Sequence, residues 1–304
     1  MNATQGDNRA LAIGAMIAMT LSLSFGDAVV KGISGSLTLW QIFVLRSAAV
    51  IPILVVIWRL WPAAAARPIR PGRLGWVALR SGLLGANWVF YYMALPHLPL
   101  STAAAVYYTL PLFITLFAAG FAGERVAPLG WLAVGIGFAG VALILRPDGG
   151  EISLYALLPL ASAICYALAM IVTRNACREE SPLALALVLN MTFIAVGLVA
   201  SGVLSTDGGD PFLSPTWSPI GAQEMALLGI LAAAILIGSI GTAVAYQNAP
   251  SSVIGPFDFC YVGFAVIWGA IFFGDWPDAL SAAGILMIVA AGILSVRAGS
   301  RGSA

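Results

Sequence analysis

Apolar runs of near-uniform length follow one another along the chain, each closed by a short polar or turn-forming knot. A helix crossing the hydrocarbon core needs about 20 mostly apolar residues at 1.5 Å rise each. That criterion predicts ten spans: Leu11–Ile33, Leu39–Leu60, Leu74–Leu95, Ser101–Ala122, Pro128–Leu145, Leu154–Arg174, Leu183–Leu204, Met225–Gln247, Ser252–Phe273 and Ala279–Val296. The knots carry turn chemistry: RPIRPGR from Arg67, PHLP from Pro96, RPDGGE from Arg146, the proline-rich stretch Thr206–Pro219, and GDWPD from Gly274. Lipid cannot satisfy a free N–H or C=O, so continuous apolar runs of this length are helices. The expected fold class is an all-α integral membrane protein with ten transmembrane helices.

Composition agrees and removes other classes. Of 304 residues, 61% are hydrophobic and only 9% charged, too few to wet the surface of a soluble globule. A net charge of +1 without a basic run leaves nothing to neutralise a nucleic-acid backbone. Cys165, Cys177 and Cys260 form no CxxC, and His97 is the lone histidine, so neither a disulfide framework nor a metal centre is indicated, and no cofactor is implied. The apolar run after the N-terminal ten residues lacks a clear small-residue cleavage site and reads as a retained first span.

Orientation follows from Lys and Arg in the short loops. With the N-terminus inside, the inner side holds Arg9, Arg59, Arg67, Arg70, Arg73, Arg125, Arg174, Arg178, Arg297 and Arg301, and the outer side only Lys31 and Arg146. Both termini are expected in the cytoplasm and the protein in the inner membrane.

The chain also repeats itself at an offset of about 151. Ala94–Ser101 matches Ala245–Ser252, and Phe121, Gly123 and Glu124 match Phe272, Gly274 and Asp275. The expected units are residues 9–148 and 152–297, five helices each. An odd number inserts the second copy upside down, so the halves are inverted repeats.

Two five-helix units, each with Ala-x6-Ser before the fourth helix and Gly-Glu or Gly-Asp after it, resemble the EamA repeats of the drug/metabolite transporter superfamily. Pro111 fits the proline usual in the family's fourth helix. In the second half Val262 stands at the aligned position and Pro256 lies upstream. The resemblance implies helices one to four and six to nine around a central cavity; the bacterial exporters of aromatic amino acids (YddG type) are the subgroup it points to.

Polar side chains inside the spans mark candidate positions, because a charge at the bilayer centre costs at least about 2.5–3.5 kcal/mol and normally faces a cavity or a partner. The predicted fifth and tenth helices are nearly blank, with Trp131, Ser281 and Ser295 as their polar groups, and rich in small residues. The other eight supply candidate substrate contacts at Asn87, Trp88, Tyr107, Tyr108, Tyr166, Asn190 and Tyr261. Tyrosines near the midplane suit a ringed or cationic solute through stacking and cation–π contact. Candidate gating or coupling positions are Asp27, Arg46, Arg80, Asp258 and the bend points Pro111 and Pro256. Asp27 and Lys31 form an i,i+4 pair on one helix face, and Arg46 could join it or meet a substrate carboxylate. Arg80 and Asp258 either pair with each other or line the pathway.

The function read from these features is a secondary transporter, an exporter of small amphiphilic metabolites such as aromatic amino acids, working by alternating access. Its partners are the bilayer, the solute and protons. A passive facilitator is one alternative. An intramembrane serine hydrolase is another, since Gly32-Ile33-Ser34-Gly35 reads as GxSG with His97 as base. An ATP-driven pump would need a GxxxxGK[ST] loop, which the chain lacks.

Overall fold

The computed structural model describes residues 9–60, 70–121, 128–145, 154–177, 179–204, 210–248 and 256–301. Gly123, Glu124, Thr206, Pro250 and Ser252, which the sequence singled out, lie outside these.

Among the described residues all regular structure is helical. The elements are α1 (Arg9–Ile33), α2 (Leu39–Leu60), α3 (Leu74–Ala94), α4 (Leu100–Tyr107), α5 (Leu110–Phe121), α6 (Pro128–Leu145), α7 (Leu157–Ala176), α8 (Pro182–Val203), α9 (Ala222–Asn248), α10 (Cys260–Phe273) and α11 (Ala279–Arg301). Short 3-10 turns occupy Leu154–Ala156 and Pro211–Leu213. Six stretches among the described residues are long and apolar enough to cross a membrane: Arg9–Ile33, Leu39–Leu60, Leu100–Phe117, Leu154–Thr173, Pro182–Val203 and Pro256–Phe273. Helix α3 matches them in length, at 21 residues, but carries Arg80, Ser81 and Asn87. Shorter apolar segments lie at Pro128–Ile144, Ala222–Gly238 and Ala279–Ser295.

The chain forms two compact units. One gathers residues up to Val29 with Leu98–Ser153 and Ala233–Ala304; the other gathers Val30–His97 with Leu154–Ala232. Each unit therefore draws helices from both sequence repeats.

In the first unit α6 and α11 cross at bare glycines. A Cβ built on Gly140 would stand 2.8 Å from the Gly284 carbonyl oxygen, and one on Gly284 would stand 2.7 Å from that of Gly140. Only glycine admits backbones this close. Leu112, Ala133, Val134 and Ala291 form the apolar core beside the crossing, and Thr115 Oγ1 meets Ser295 Oγ at 2.9 Å. Helix α1 meets α9 through a similar device: Gly238 lies under Leu23, and Gly241 under Met19 and the Ala15 carbonyl.

The expected fourth span, Ser101–Ala122, is not one helix. It breaks at Tyr108 and Thr109 between α4 and α5. Pro111 is the cause, because it offers no N–H to the Tyr107 carbonyl and its ring crowds that oxygen. Thr109 turns its hydroxyl back to the Val106 carbonyl at 2.7 Å. The ninth span breaks as well, at Phe259 before α10, the position that stands 151 residues after Tyr108. No proline follows that break, and nothing else in the structure explains it. Helix α10 ends at Gly274, whose φ of +70° is the left-handed value of a helix C-cap; the Asp275 N–H returns to the Gly269 carbonyl at 3.1 Å. The Gly274-Asp275 pair of the repeat is thus a helix stop.

In the second unit α3 packs against α7 and α8, and α2 against α8. Gly197 on α8 lets the Trp40 carbonyl of α2 approach to 2.7 Å of where a Cβ would stand. The connection 210–218 is tied to α2 twice: Trp40 Nε1 donates to the Leu213 carbonyl at 2.9 Å, and Gln41 Nε2 donates to the Ser218 carbonyl at 2.8 Å. Gln41 Oε1 in turn accepts from the Ser218 N–H at 3.1 Å.

Candidate functional site

The predicted polar residues fall into two groups, one in each compact unit. In the first unit the break between α4 and α5 places Tyr108 at a helix end, free of the regular side-chain rows. Its ring stacks on Tyr261 of α10, centroids 4.9 Å apart and planes 23° from parallel. The Tyr108 hydroxyl donates to Asp258 at 3.4 Å, and the Tyr261 hydroxyl donates to the buried Asp27 carboxylate of α1. Two stacked tyrosines thereby hold two carboxylates. Phe259 and Tyr107 stand edge-on to Tyr108 at 5.5 and 5.8 Å. Pro256 lies two residues before Asp258 in one short helical segment, and Pro111 sits in the first turn of α5.

In the second unit Arg46 of α2 is 5% exposed and its guanidinium is surrounded by rings: Phe193 at 4.6 Å, Phe43 at 5.6 Å and Trp88 at 6.0 Å. Cation–π attraction grows when the cation is desolvated, as at this buried position. Trp88 extends the cluster to Tyr92, centroids 5.1 Å apart.

Helices α3 and α7 meet along a polar seam. Arg80, Leu84, Asn87 and Tyr91 share one face of α3 at four- and three-residue spacing, and Ser162, Tyr166 and Thr173 share one face of α7. With its amide turned to satisfy both groups, Asn87 Nδ2 donates to Ser162 Oγ at 2.8 Å, and that hydroxyl donates to the Asn87 main-chain carbonyl at 2.9 Å. Arg80 Nε donates to Thr173 Oγ1 at 2.9 Å. Asn190 spends its Nδ2 on the Ala186 carbonyl of its own helix, at 2.9 Å. Arg80 and Asp258, considered together from the sequence, have separate hydroxyl partners, Thr173 and Tyr108.

The opposite face of α3 borders an open apolar groove of about 1060 Å³, shared with α8 and lined by Gly82, Ala86, Phe90, Val199 and Val203 among others. Val199 and Val203 are 63% and 78% exposed, as lipid-facing side chains of a span are. None of the sequence-predicted site residues lines it.

Ser34 and His97, the residues of the hydrolase alternative, each have another partner. The Ser34 hydroxyl donates to the Lys31 carbonyl at 2.8 Å. His97 pairs its Nε2 with Asp210 at 2.7 Å and stacks on Tyr155 with centroids 3.7 Å apart. What sequence reasoning missed are the neutral partners: Phe43, Phe193, Ser162 and Thr173. Aromatic and hydroxyl residues in an apolar run carry no mark that separates a helix contact from a lipid contact.

Apolar helices of spanning length, with charges held inside them by hydroxyls and rings, define a multi-pass membrane protein that handles a small solute. The chain belongs to the EamA-like transporter family, whose pattern it matches twice, over residues 10–146 and 153–297. It is 27% identical over 283 residues to the pseudopaline exporter CntI of Pseudomonas aeruginosa, covering 91% of this chain and 94% of that one. The riboflavin transporter of Rhizobium johnstonii is 30% identical over 223 residues, 73% of this chain and 70% of its own. The S-adenosylmethionine uptake transporter of Rickettsia conorii is 24% identical over 217 residues, 69% of this chain and 68% of its own. A crystal structure with a TM-score of 0.61 covers 94% of this chain and 96% of its own at 18% identity, which shows a shared fold. The protein is thus a small-molecule transporter of the drug/metabolite type and not an enzyme. The relatives' names include both an exporter and an uptake system, and none of the three names an aromatic amino acid.

Proposed function

We propose that the chain is a secondary transporter that exports small amphiphilic metabolites, amino acids with aromatic side chains among them, across the inner membrane by alternating access. Ten helices in two inverted five-helix repeats, residues 9–148 and 152–297, surround a central cavity, and both termini are cytoplasmic. Asn87, Trp88, Tyr107, Tyr108, Tyr166, Asn190 and Tyr261 supply its polar and aromatic contacts, with Arg46 and Arg80 along the pathway.

The observation that carries this reading is the tyrosine pair that joins Asp27 and Asp258 beside a broken helix. A carboxylate inside a span is costly, and one held by a neutral hydroxyl is still able to take up a proton. Broken helices in transporters characteristically flank the bound solute and its coupling ion. Asp27 and Asp258 are therefore the proposed coupling groups, with Pro111 and Pro256 as bend points.

The test is flux into proteoliposomes with a panel of amino acids, riboflavin and S-adenosylmethionine, with and without an imposed proton gradient. Gradient-driven accumulation of any member supports coupled transport. Flux that only equilibrates the solute assigns a passive facilitator, and no flux of any member refutes the reading.

A further inference from the structure

We propose that Arg80 anchors an oxyanion subsite, so that the transported solute presents a carboxylate beside its apolar body. The proposal rests on the transporter reading and names the charge of its substrate.

Arg80 lies six residues into α3, about 9 Å along the helix, on the face that meets α7 rather than on the face bordering the apolar groove. Its Nε is satisfied by Thr173 Oγ1, and that hydroxyl is itself committed to the Ala169 carbonyl at 2.7 Å. Its Nη1 is enclosed and has no acceptor among the described residues. The other enclosed polar atoms without a partner among the described residues, the hydroxyls of Ser47, Ser81 and Ser101 and the Trp268 indole nitrogen, are uncharged. Arg80 is the cation of that set.

Three carboxylates of its own unit have partners elsewhere. Glu180 accepts from the Gly72 and Arg73 N–H groups at 3.0 and 2.8 Å, Asp210 holds His97, and Glu224 caps the Gly221 N–H at 2.9 Å. Tyr166 and Cys177 are ionisable groups that act on Arg80. A guanidinium presents donors in a planar fork that matches a carboxylate or phosphate, and one left without an acceptor in a low-dielectric setting is costly. The missing acceptor is an oxyanion from outside the chain. Tyr166, on the α7 face that carries Thr173, gives such a solute an aromatic neighbour.

The experiment measures ligand-dependent thermal stabilisation of the full chain in neutral, phosphate-free detergent, which excludes lipid headgroups as the source of the oxyanion. The probes are matched pairs: N-acetyltryptophan and its amide, N-acetylleucine and its amide, phenylacetate and phenylacetamide. Wild type should bind at least one acid tenfold or more tighter than its amide. Arg80→Gln should cut that ratio below threefold, Arg80→Lys should give an intermediate ratio, and the lipid-exposed control Trp131→Ala should keep the wild-type ratio. Thr173→Val removes the hydroxyl that orients the fork and should lower the ratio as well, which serves where Arg80→Gln does not insert. Binding of no acid, equal binding of acid and amide, or an undiminished ratio in Arg80→Gln overturns the proposal. Riboflavin and S-adenosylmethionine flux in proteoliposomes separates the two readings. Flux of either with no acid preference refutes the subsite alone, and absence of all flux and all binding refutes the transporter.

Discussion

Helices α6 and α11 cross with almost no clearance, and a single methyl group should test that geometry. A Cβ on Gly140 would lie 2.8 Å from the Gly284 carbonyl oxygen and 3.0 Å from both Ile288 Cγ1 and Met287 Cβ. Ordinary contact begins at 3.4 Å, and the first neighbour is backbone, which has no rotamer to swing away. The two helices must separate by roughly 0.6 Å to admit it, and overpacking of this kind costs about 1–3 kcal/mol. Gly135, on the same helix, has nothing within 4 Å of its Cβ position. There alanine should cost nothing and could gain up to about 1 kcal/mol of helix propensity. Gly137 is intermediate, because its Cβ would meet the tip of the Leu112 side chain, which can move. Unfolding titrations in mixed micelles of dodecyl sulfate and a neutral detergent give the three stabilities on one scale. The expected order is Gly135→Ala most stable, then Gly137→Ala, then Gly140→Ala. Gly284→Ala should resemble Gly140→Ala, and the double variant should lose less than the sum, since one separation accommodates both methyls. Equal stability of Gly135→Ala and Gly140→Ala, within about 0.5 kcal/mol, would refute a backbone-limited crossing.

Three further outcomes are expected. Tyr261→Phe removes the donor to the buried Asp27 and should lower stability by about 1–3 kcal/mol, with a transport defect larger than that of Tyr155→Phe; equal defects would detach the tyrosine–carboxylate pair from function. Glu180→Ala strips the acceptor from the Gly72 and Arg73 amides, a loss comparable to a missing helix cap of about 0.5–2 kcal/mol, and should speed hydrogen exchange at residues 72–75 more than at 84–90. Cysteines placed at Thr206 and Arg70 should label from opposite faces of intact cells, and labelling of both from outside would contradict the inverted-repeat topology.

The helices were legible because lipid enforces them: an apolar run of spanning length has no other way to satisfy its backbone. Their ends were legible where glycine and proline act locally, as at Gly274 and Pro182. The break at Tyr108 could be traced to Pro111, yet the one at Phe259 had no such sign. Membership of the site was harder to read. Arg46 and Arg80 stood out as charges in apolar runs, but their partners Phe193 and Thr173 did not, because a ring or a single hydroxyl is common on any span. Nor could the sequence tell that Asn190 donates its Nδ2 to its own helix. The division into compact units was not legible either, since it depends on which helices pack together, whereas the sequence repeat records only how the chain was duplicated.

The neutral groups among the partners link these observations to function. Asp27 and Asp258 are held by tyrosine hydroxyls, Arg80 by a threonine hydroxyl, and Arg46 lies among aromatic rings. Two charges locked in an ion pair leave no field for a solute or a proton to respond to, and separating them is expensive. A hydroxyl or a ring meets part of the cost and leaves the charge in place. Acids in one unit and arginines in the other are then chemically distinct: the acids can gain a proton, while an arginine keeps its charge and can only exchange partners. Coupling is therefore proposed for Asp27 and Asp258, and recognition of an anionic group for Arg80.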